Sequence, residues 1–141
     1  MWQRLKTLLG RLPLLRALST GEHGERQAAD FLKKKGYTVL VRNWRNPRDR
    51  RDELDLVCRD GEVLVFVEVK TRDARALVSG YHAVDGRKKA VVRRTAIAYM
   101  RRLRERPHTY RFDVVEVSMS GGESEVRHYE NIDLFRKHFR P

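Results

Sequence analysis

The stretch Glu53–Lys70, ELDLVCRDGEVLVFVEVK, limits what this chain can fold into more than any other segment. Two short apolar strands flank Asp60-Gly61, and an Asp-Gly pair between alternating apolar runs marks a β-hairpin. A turn centred on that pair sets Cys58 opposite Val63, Glu53 opposite Glu68, and Asp55 opposite Phe66, diagonal to Glu68. Side chains alternate faces along a strand, so Leu54, Leu56, Cys58, Val63, Val65, Val67 and Val69 make one wholly apolar face. The other face carries Glu53, Asp55, Val57, Leu64, Phe66, Glu68 and Lys70. Like charges facing each other destabilise an antiparallel pair unless a cation or a proton lies between them. Leu64 and Phe66 beside the acids argue against an ordinary solvated sheet face. A local conflict of this kind marks a candidate functional site.

At 141 residues the chain suits one domain. Lys and Arg number 31 against 19 acids, a net charge of +12 that points first to nucleic acid and second to an anionic membrane; the bland alternative is a soluble basic protein. Cys58 is the only cysteine, which excludes a disulfide or a Cys-rich zinc site within the chain and suits a reducing, cytoplasmic setting. Residues 1–20 form a basic extension with Arg4, Lys6, Arg11 and Arg16 and no acid. Its apolar run is interrupted by arginines and broken by Pro13, so it predicts no integral membrane insertion and no secretory signal. A targeting leader, a membrane-surface segment and a loosely attached extension remain as readings.

Residues 21–135 read as the globular domain and 136–141 as a basic tail. Gly21–Gly36 predicts a helix with Ala28, Ala29 and Leu32 inward, Phe31 at the edge of that stripe, and Gly36 closing the C-terminus behind three lysines. Glu25 falls on the inward stripe; it is either a first-turn acid favoured by the helix dipole or a carboxylate aimed at the hairpin acids. Tyr37–Asn43 predicts a strand, followed by a loop carrying Arg45, Arg48, Arg50 and Arg51 with Asp49 and Asp52: a solvated turn or a phosphate contact. Residues 71–85 predict a loop hinged at Gly80. Asp85 is placed to N-cap a long helix ending before Pro107, with Val92, Thr95, Ala96, Tyr99 and Leu103 inward and Met100 alongside. Lys88 lies at the margin of this stripe in the first turn, where the dipole disfavours a cation, so a partner should hold it. Arg87, Arg94 and Arg101 recur along the outer face, and this helix is nearly all positive. Arg72 and Lys89 join Arg45, Arg48, Arg51, Arg87, Lys88, Arg94 and Arg101 as candidate nucleic-acid contacts. Tyr110–Val117 and Glu125–Tyr129 predict strands around a Gly121-Gly122 turn, and Ile132, Leu134 and Phe135 a docking patch. The element order implies a mixed α/β sheet flanked by helices.

Asp55 and Glu68, as diagonal neighbours, would lie roughly 7–8 Å apart at Cα, close enough to share one hard divalent ion. Magnesium takes one or two protein carboxylates and completes its shell with waters and phosphate oxygens; manganese is the natural substitute. Lys70 projects on the same side and can stabilise charge developing at a phosphorus. Glu53 and Glu25 are candidates for an outer ligand or a second metal. The five histidines, His23, His82, His108, His128 and His138, form no metal pair by spacing. No Gly-rich phosphate loop and no Ser/His/Asp motif occurs.

Asp55 followed by Glu68-Val69-Lys70 resembles the D…(D/E)xK signature of the PD-(D/E)xK nucleases. The ordered blocks GERQAADFLKKKGY, ELDLV, FVEVKTR and YRFDVVEV resemble those of the YraN-like family of bacterial proteins over about residues 21–135. The resemblance implies a restriction-endonuclease-like core similar to archaeal Holliday-junction resolvases. Asp55 and Glu68 would then be metal ligands, Lys70 the catalytic lysine and Glu25 the acid of the first helix, with Lys88 at the place of a basic residue on the following helix. For Asp113, in the RFD block, the resemblance supplies no role, and a structural partner for a nearby arginine or lysine is the physical alternative. Where the family has glycine before the E-(I/L)-D-L block, this chain has Asp52, an acid that either decorates the loop or alters the strand's approach to substrate. The expected activity is Mg²⁺-dependent hydrolysis of DNA, branched or structured DNA included, with a homodimer suited to cutting both strands. The alternative is a nucleic-acid-binding module of nuclease fold that does not cleave, working within a larger complex.

Overall fold

Ser19 opens the first helix by a capping box that the sequence carries in plain form: its hydroxyl accepts from the Glu22 N–H while the Glu22 carboxylate accepts from the Ser19 N–H. The helix, α1 (Thr20–Lys34), buries Ala28, Ala29 and Leu32 as their spacing predicts. It ends with Tyr37 N–H on the Leu32 carbonyl, Gly36 N–H on the Lys33 carbonyl, and Gly36 at φ +98°. That is a Schellman closure, and only glycine takes such a φ without strain. The computed structural model describes residues 19–73 and 86–134. Residues 1–18, the Gly80 hinge, His82, the Asp85 cap, Phe135 and the 136–141 tail lie outside the described residues.

Five strands follow: β1 (Thr38–Asn46), β2 (Asp49–Asp60), β3 (Val63–Asp73), β4 (Thr109–Ser120) and β5 (Glu123–Tyr129), with α2 (Gly86–Met100) between β3 and β4. They form one sheet in chain order, antiparallel throughout except for the parallel pair β3–β4. A parallel pair needs a crossover, which the segment containing α2 supplies. The fold is therefore α/β, two helices flanking a mixed sheet, as the element order implies. On one face α1 packs with Leu56, Cys58, Val65, Val67, Val115 and Val117. On the other, α2 packs with Leu54, Val57, Leu64, Phe66, Phe112 and Val114. There Tyr99 meets Trp44 and Phe66 edge-on, at 5.3 and 6.0 Å between ring centres. Leu134 is buried in this cluster and Ile132 packs against it, so those two residues of the expected docking patch do dock. Among the described residues no helix is long and apolar enough to cross a membrane.

Four expectations are corrected. The hairpin turns at Gly61-Glu62, not Asp60-Gly61, and Cys58 pairs with Val65. Gly61 sits at φ +56° in the first central position, where a glycine-led turn of the II′ kind requires it. A shift of two residues preserves the faces, so most of the face assignment survives, but it brings Asp55 from beside Phe66 into line with Glu68. Leu54 nevertheless leaves its predicted face: Leu54 and Leu56 fall in opposite clusters, so the alternation slips by one residue across Asp55. The arginine-rich loop is a second hairpin, with Asn46 paired to Asp49 across Pro47-Arg48. Finally, α2 stops at Met100 instead of running to Pro107. Its end tightens into bonds from Arg102 to Tyr99 and from Leu103 to Met100, and the like-charged Arg101 and Arg104 that follow disfavour another turn.

Candidate active site

Asp55 stands where β2 and β3 part. The paired ladder ends at Leu56–Val67, and one residue further on the Asp55 Oδ2 accepts the Val69 N–H at 2.8 Å. Glu68 is nearly fully buried and receives both Lys70 and Lys88 on Oε1, each at 3.2 Å. Lys88 comes from the first turn of α2, and Glu68 is the partner that its position demanded. Burial, and after it repulsion from Glu68, pushes the Asp55 carboxyl up to about 7; the Val69 bond opposes this, Glu25 adds to it, and Lys88 offsets part. Glu25, on α1, is also raised, first by burial and then by Glu53, Glu22 and Glu68, against a hydrogen bond from Asn43. The expected acids therefore feel one another across three elements.

Close contact between α1 and β3 depends on a helical glycine. A Cβ at Gly24 would overlap the Thr71 side chain, so only glycine lets the helix carrying Glu25 approach the strand carrying Glu68 and Lys70 this closely. Two site neighbours were not foreseen. Asn43 bonds Glu25 from a left-handed backbone at φ +50°, a conformation that asparagine tolerates better than most residues. Glu116 is buried on β4 directly beside Lys70 in the parallel register. The period-two pattern Phe112, Val114, Glu116 would have flagged it, given the β3–β4 pairing.

Among the described residues no group of three or more His, Cys, Asp or Glu side chains stands close enough to hold a metal ion. Asp55 and Glu68 offer two carboxylates, the number that magnesium commonly uses. Oδ2 of Asp55 accepts the Val69 N–H, and Oε1 of Glu68 lies nearest both lysines. Two neighbouring carboxylates offer the hard oxygen donors that suit a hard divalent cation. Glu53 instead pairs with Arg45 at 3.1 Å.

The basic candidates divide by partner. Arg45 is held by Glu53, Arg51 by Asp49 at 2.8 Å, Lys88 by Glu68, and Arg94 by Asp52 through two bonds of 2.6 and 2.9 Å. Arg87 is exposed and Lys89 half-buried. Arg72 keeps a buried Nε–H without an acceptor. Arg48 and Arg101 line a groove along α2. Asp52 is thus no loop decoration: it is buried in β2, and the Arg94 guanidinium holds its carboxyl below the usual range.

Asp113 acquires a structural role. Fully buried, it accepts from Arg111, from the Asn131 N–H and from His128 Nε2 at 2.8 Å. Burial alone would raise its carboxyl, but these bonds keep it below the usual range. The Lys35 ammonium meets His128 Nδ1 at 2.9 Å and can only donate, so the His128 proton resides on Nε2 and points at Asp113. This network ties β4 and β5 to the end of α1. Cys58 is buried and its thiol pushed up to about 12 by burial, so it is inert.

The chain is similar in sequence to several proteins. A UPF0102 protein of Symbiobacterium thermophilum is 47% identical over 97 residues, covering 69% of this chain and 80% of its own length. One from Koribacter versatilis is 41% identical over 109 residues, covering 77% and 75%. One from Frankia alni is 47% identical over 98 residues, covering 70% and 79%. The model of "Uncharacterised protein family UPF0102" matches residues 24–117, from the glycine under Thr71 to the end of the buried run of β4, and the chain belongs to that family.

Proposed function

We propose that this protein is a Mg²⁺-dependent phosphodiesterase of the PD-(D/E)xK class, within a YraN-like group similar to archaeal Holliday-junction resolvases, acting on DNA. The observation that carries the reading is the meeting of Asp55, Glu68 and Lys70 where β2 and β3 part, with Glu25 in the same electrostatic field. Asp55 and Glu68 would hold the ion, which supplies positive charge at the phosphate and makes a water more acidic. Lys70, released from Glu68, places its ammonium against the anionic phosphate oxygens as charge grows there. Water adds to phosphorus, the P–O bond to the leaving oxygen breaks, and that oxygen takes a proton. Glu25 tunes Asp55 through repulsion, and Lys88 fixes the Glu68 carboxylate. The basic surface suits a DNA partner, the lone inert cysteine suits the cytoplasm, and a homodimer suits cutting of both strands.

A non-cleaving binding module of the same fold is the rival reading, and the absence, among the described residues, of three His, Cys, Asp or Glu side chains grouped to hold a metal ion favours it. Cleavage of duplex, flap, single-stranded and four-way DNA with Mg²⁺ or Mn²⁺ separates the two. Wild type should cut at least one substrate, while Asp55→Asn and Lys70→Ala should lose roughly a hundredfold or more in rate and still bind. Equal binding with every substrate left intact by all three proteins would favour the module.

A further inference from the structure

A groove of about 620 Å³ runs along the outer face of α2, closed on one side by the Pro47-Arg48 turn. Arg48, Arg93, Arg94, Arg101 and Arg102 line it, Ile97 lies between the arginine pairs, and among the described residues no acid or aromatic belongs to its wall. Among the described residues Arg48, Arg93, Arg101 and Arg102 form no ion pair. Only Arg94 is neutralised, by Asp52, and that bidentate bond fixes α2 to β2, the strand that carries Asp55. Lys88, six residues before Arg94 on the same helix, bonds Glu68. The groove is thereby held in a fixed relation to the carboxylates.

Solvated helices usually mix charge signs, whereas this face gathers guanidinium groups without counter-charge in a concave wall. The Arg93-Arg94 and Arg101-Arg102 pairs are separated by about 12 Å of helix axis at 1.5 Å per residue. At 3.4 Å of duplex axis per phosphate of one strand, that length corresponds to roughly three phosphates when α2 lies along the duplex axis. With no aromatic ring to stack on among the described residues and a row of guanidinium groups that fit phosphate oxygens, the wall suits a nucleic-acid backbone.

Building on the nuclease reading above, we propose that this groove is an exosite for the phosphate backbone of the nucleic acid flanking the reacting linkage. Arg93, Arg101 and Arg102 make the contacts, Arg48 closes the far side, and Arg94 is the strut that positions them. Recognition is sequence-independent and electrostatic.

The test is binding of a fluorescein-labelled duplex, and of its single strand, to the full chain by anisotropy across a salt series in EDTA, where no cleavage can occur. The triple variant Arg93→Ala/Arg101→Ala/Arg102→Ala should bind at least tenfold more weakly near 0.1 M salt. The slope of log K against log salt should fall by roughly two to three, about 0.9 per lost phosphate contact. A charge-matched control, Lys33→Ala/Lys34→Ala/Arg59→Ala, removes exposed positive charge from α1 and the far hairpin. It should keep the wild-type slope, and circular dichroism should show both triples folded. Equal losses in the two triples, or an unchanged slope in the first, would overturn the exosite, as would selective loss of binding to phosphatidylserine vesicles with DNA binding intact. Asp55→Asn separates the exosite from the catalytic reading: full DNA binding by that variant with no cleavage by wild type on any substrate would sink the nuclease assignment and leave the groove standing.

Discussion

Replacing Asp55 with asparagine should stabilise the protein at neutral and alkaline pH while removing the proposed phosphodiesterase activity. Burial and the neighbouring Glu68 carry the Asp55 carboxyl from an ordinary 3.8 to about 7. A raised carboxyl binds its proton more tightly in the folded chain than in the unfolded one. Its contribution to stability is therefore complete below pH 3.8 and is lost as pH climbs through 7. Each pH step in that window costs about 1.4 kcal/mol, so between pH 5 and pH 8 the wild type should lose about 3 kcal/mol relative to a variant that does not titrate. Asparagine keeps the acceptor for the Val69 N–H and discards the charge, so little else changes. For a chain of this size the difference corresponds to a melting shift of roughly 6–10 °C at pH 8, shrinking toward pH 5. Thermal unfolding of both proteins in EDTA across that range is the assay. Magnesium should then raise the melting temperature of the wild type at pH 8 and leave Asp55→Asn unmoved, because the ion replaces the missing proton. A variant that is uniformly less stable, or whose advantage does not grow with pH, would refute the account of Asp55 as a charge held against repulsion.

Three further outcomes follow from the packing around the site. Gly24→Ala should destabilise by about 1–3 kcal/mol in urea unfolding despite alanine's better helix propensity, and adding Thr71→Ala should restore most of the loss, because the overlap is with that side chain. Arg94→Ala should cost about 1 kcal/mol by leaving Asp52 buried without its partner, and the double variant Asp52→Ala/Arg94→Ala should be more stable than the single. Asp113→Ala should cost roughly 3–5 kcal/mol at pH 7 because it removes the buried carboxylate shared by Arg111, His128 Nε2 and the Asn131 N–H, leaving Arg111 only Asp60 and Tyr37 among the described residues. Its carboxyl is held low, so that contribution is present above pH 3.8 and lost as pH falls, and the urea midpoint of the variant should depend less on acid than that of wild type.

Much of the fold was legible because periodicity and packing agree. Ala28, Ala29 and Leu32 recur at helical spacing, and Val63, Val65 and Val67 alternate against Leu64 and Phe66, so each element announces its buried face. The arginine-rich hairpin hid its strands because its cross-strand neighbours there are charges: Arg45 answers Glu53, and Asp49 answers Arg51 along the same strand. An apolar alternation cannot be read where ion pairs fill the positions. Asp52 and Arg94 are 42 residues apart, and nothing local links them. Glu116 needed the β3–β4 register before its place beside Lys70 had meaning.

The register of the central hairpin teaches the most about the site. Turning at Asp60-Gly61 or at Gly61-Glu62 exposes the same faces, so hydrophobic pattern cannot choose between them; the φ of Gly61 does. The difference is chemical. In the observed register Asp55 and Glu68 would face each other as the next pair, and there the ladder ends. Mutual repulsion of two part-buried carboxylates opposes continued pairing, and Asp55 takes the Val69 N–H with its side chain. The slip of alternation between Leu54 and Leu56 falls opposite Asn43, whose left-handed backbone stands between the Arg42–Leu56 and Trp44–Leu54 pairs. The opening at the ladder's end lets Lys70 and Lys88 in from two elements. The conflict visible in the sequence, acids brought opposite each other on neighbouring strands, thus falls where the β2–β3 ladder ends.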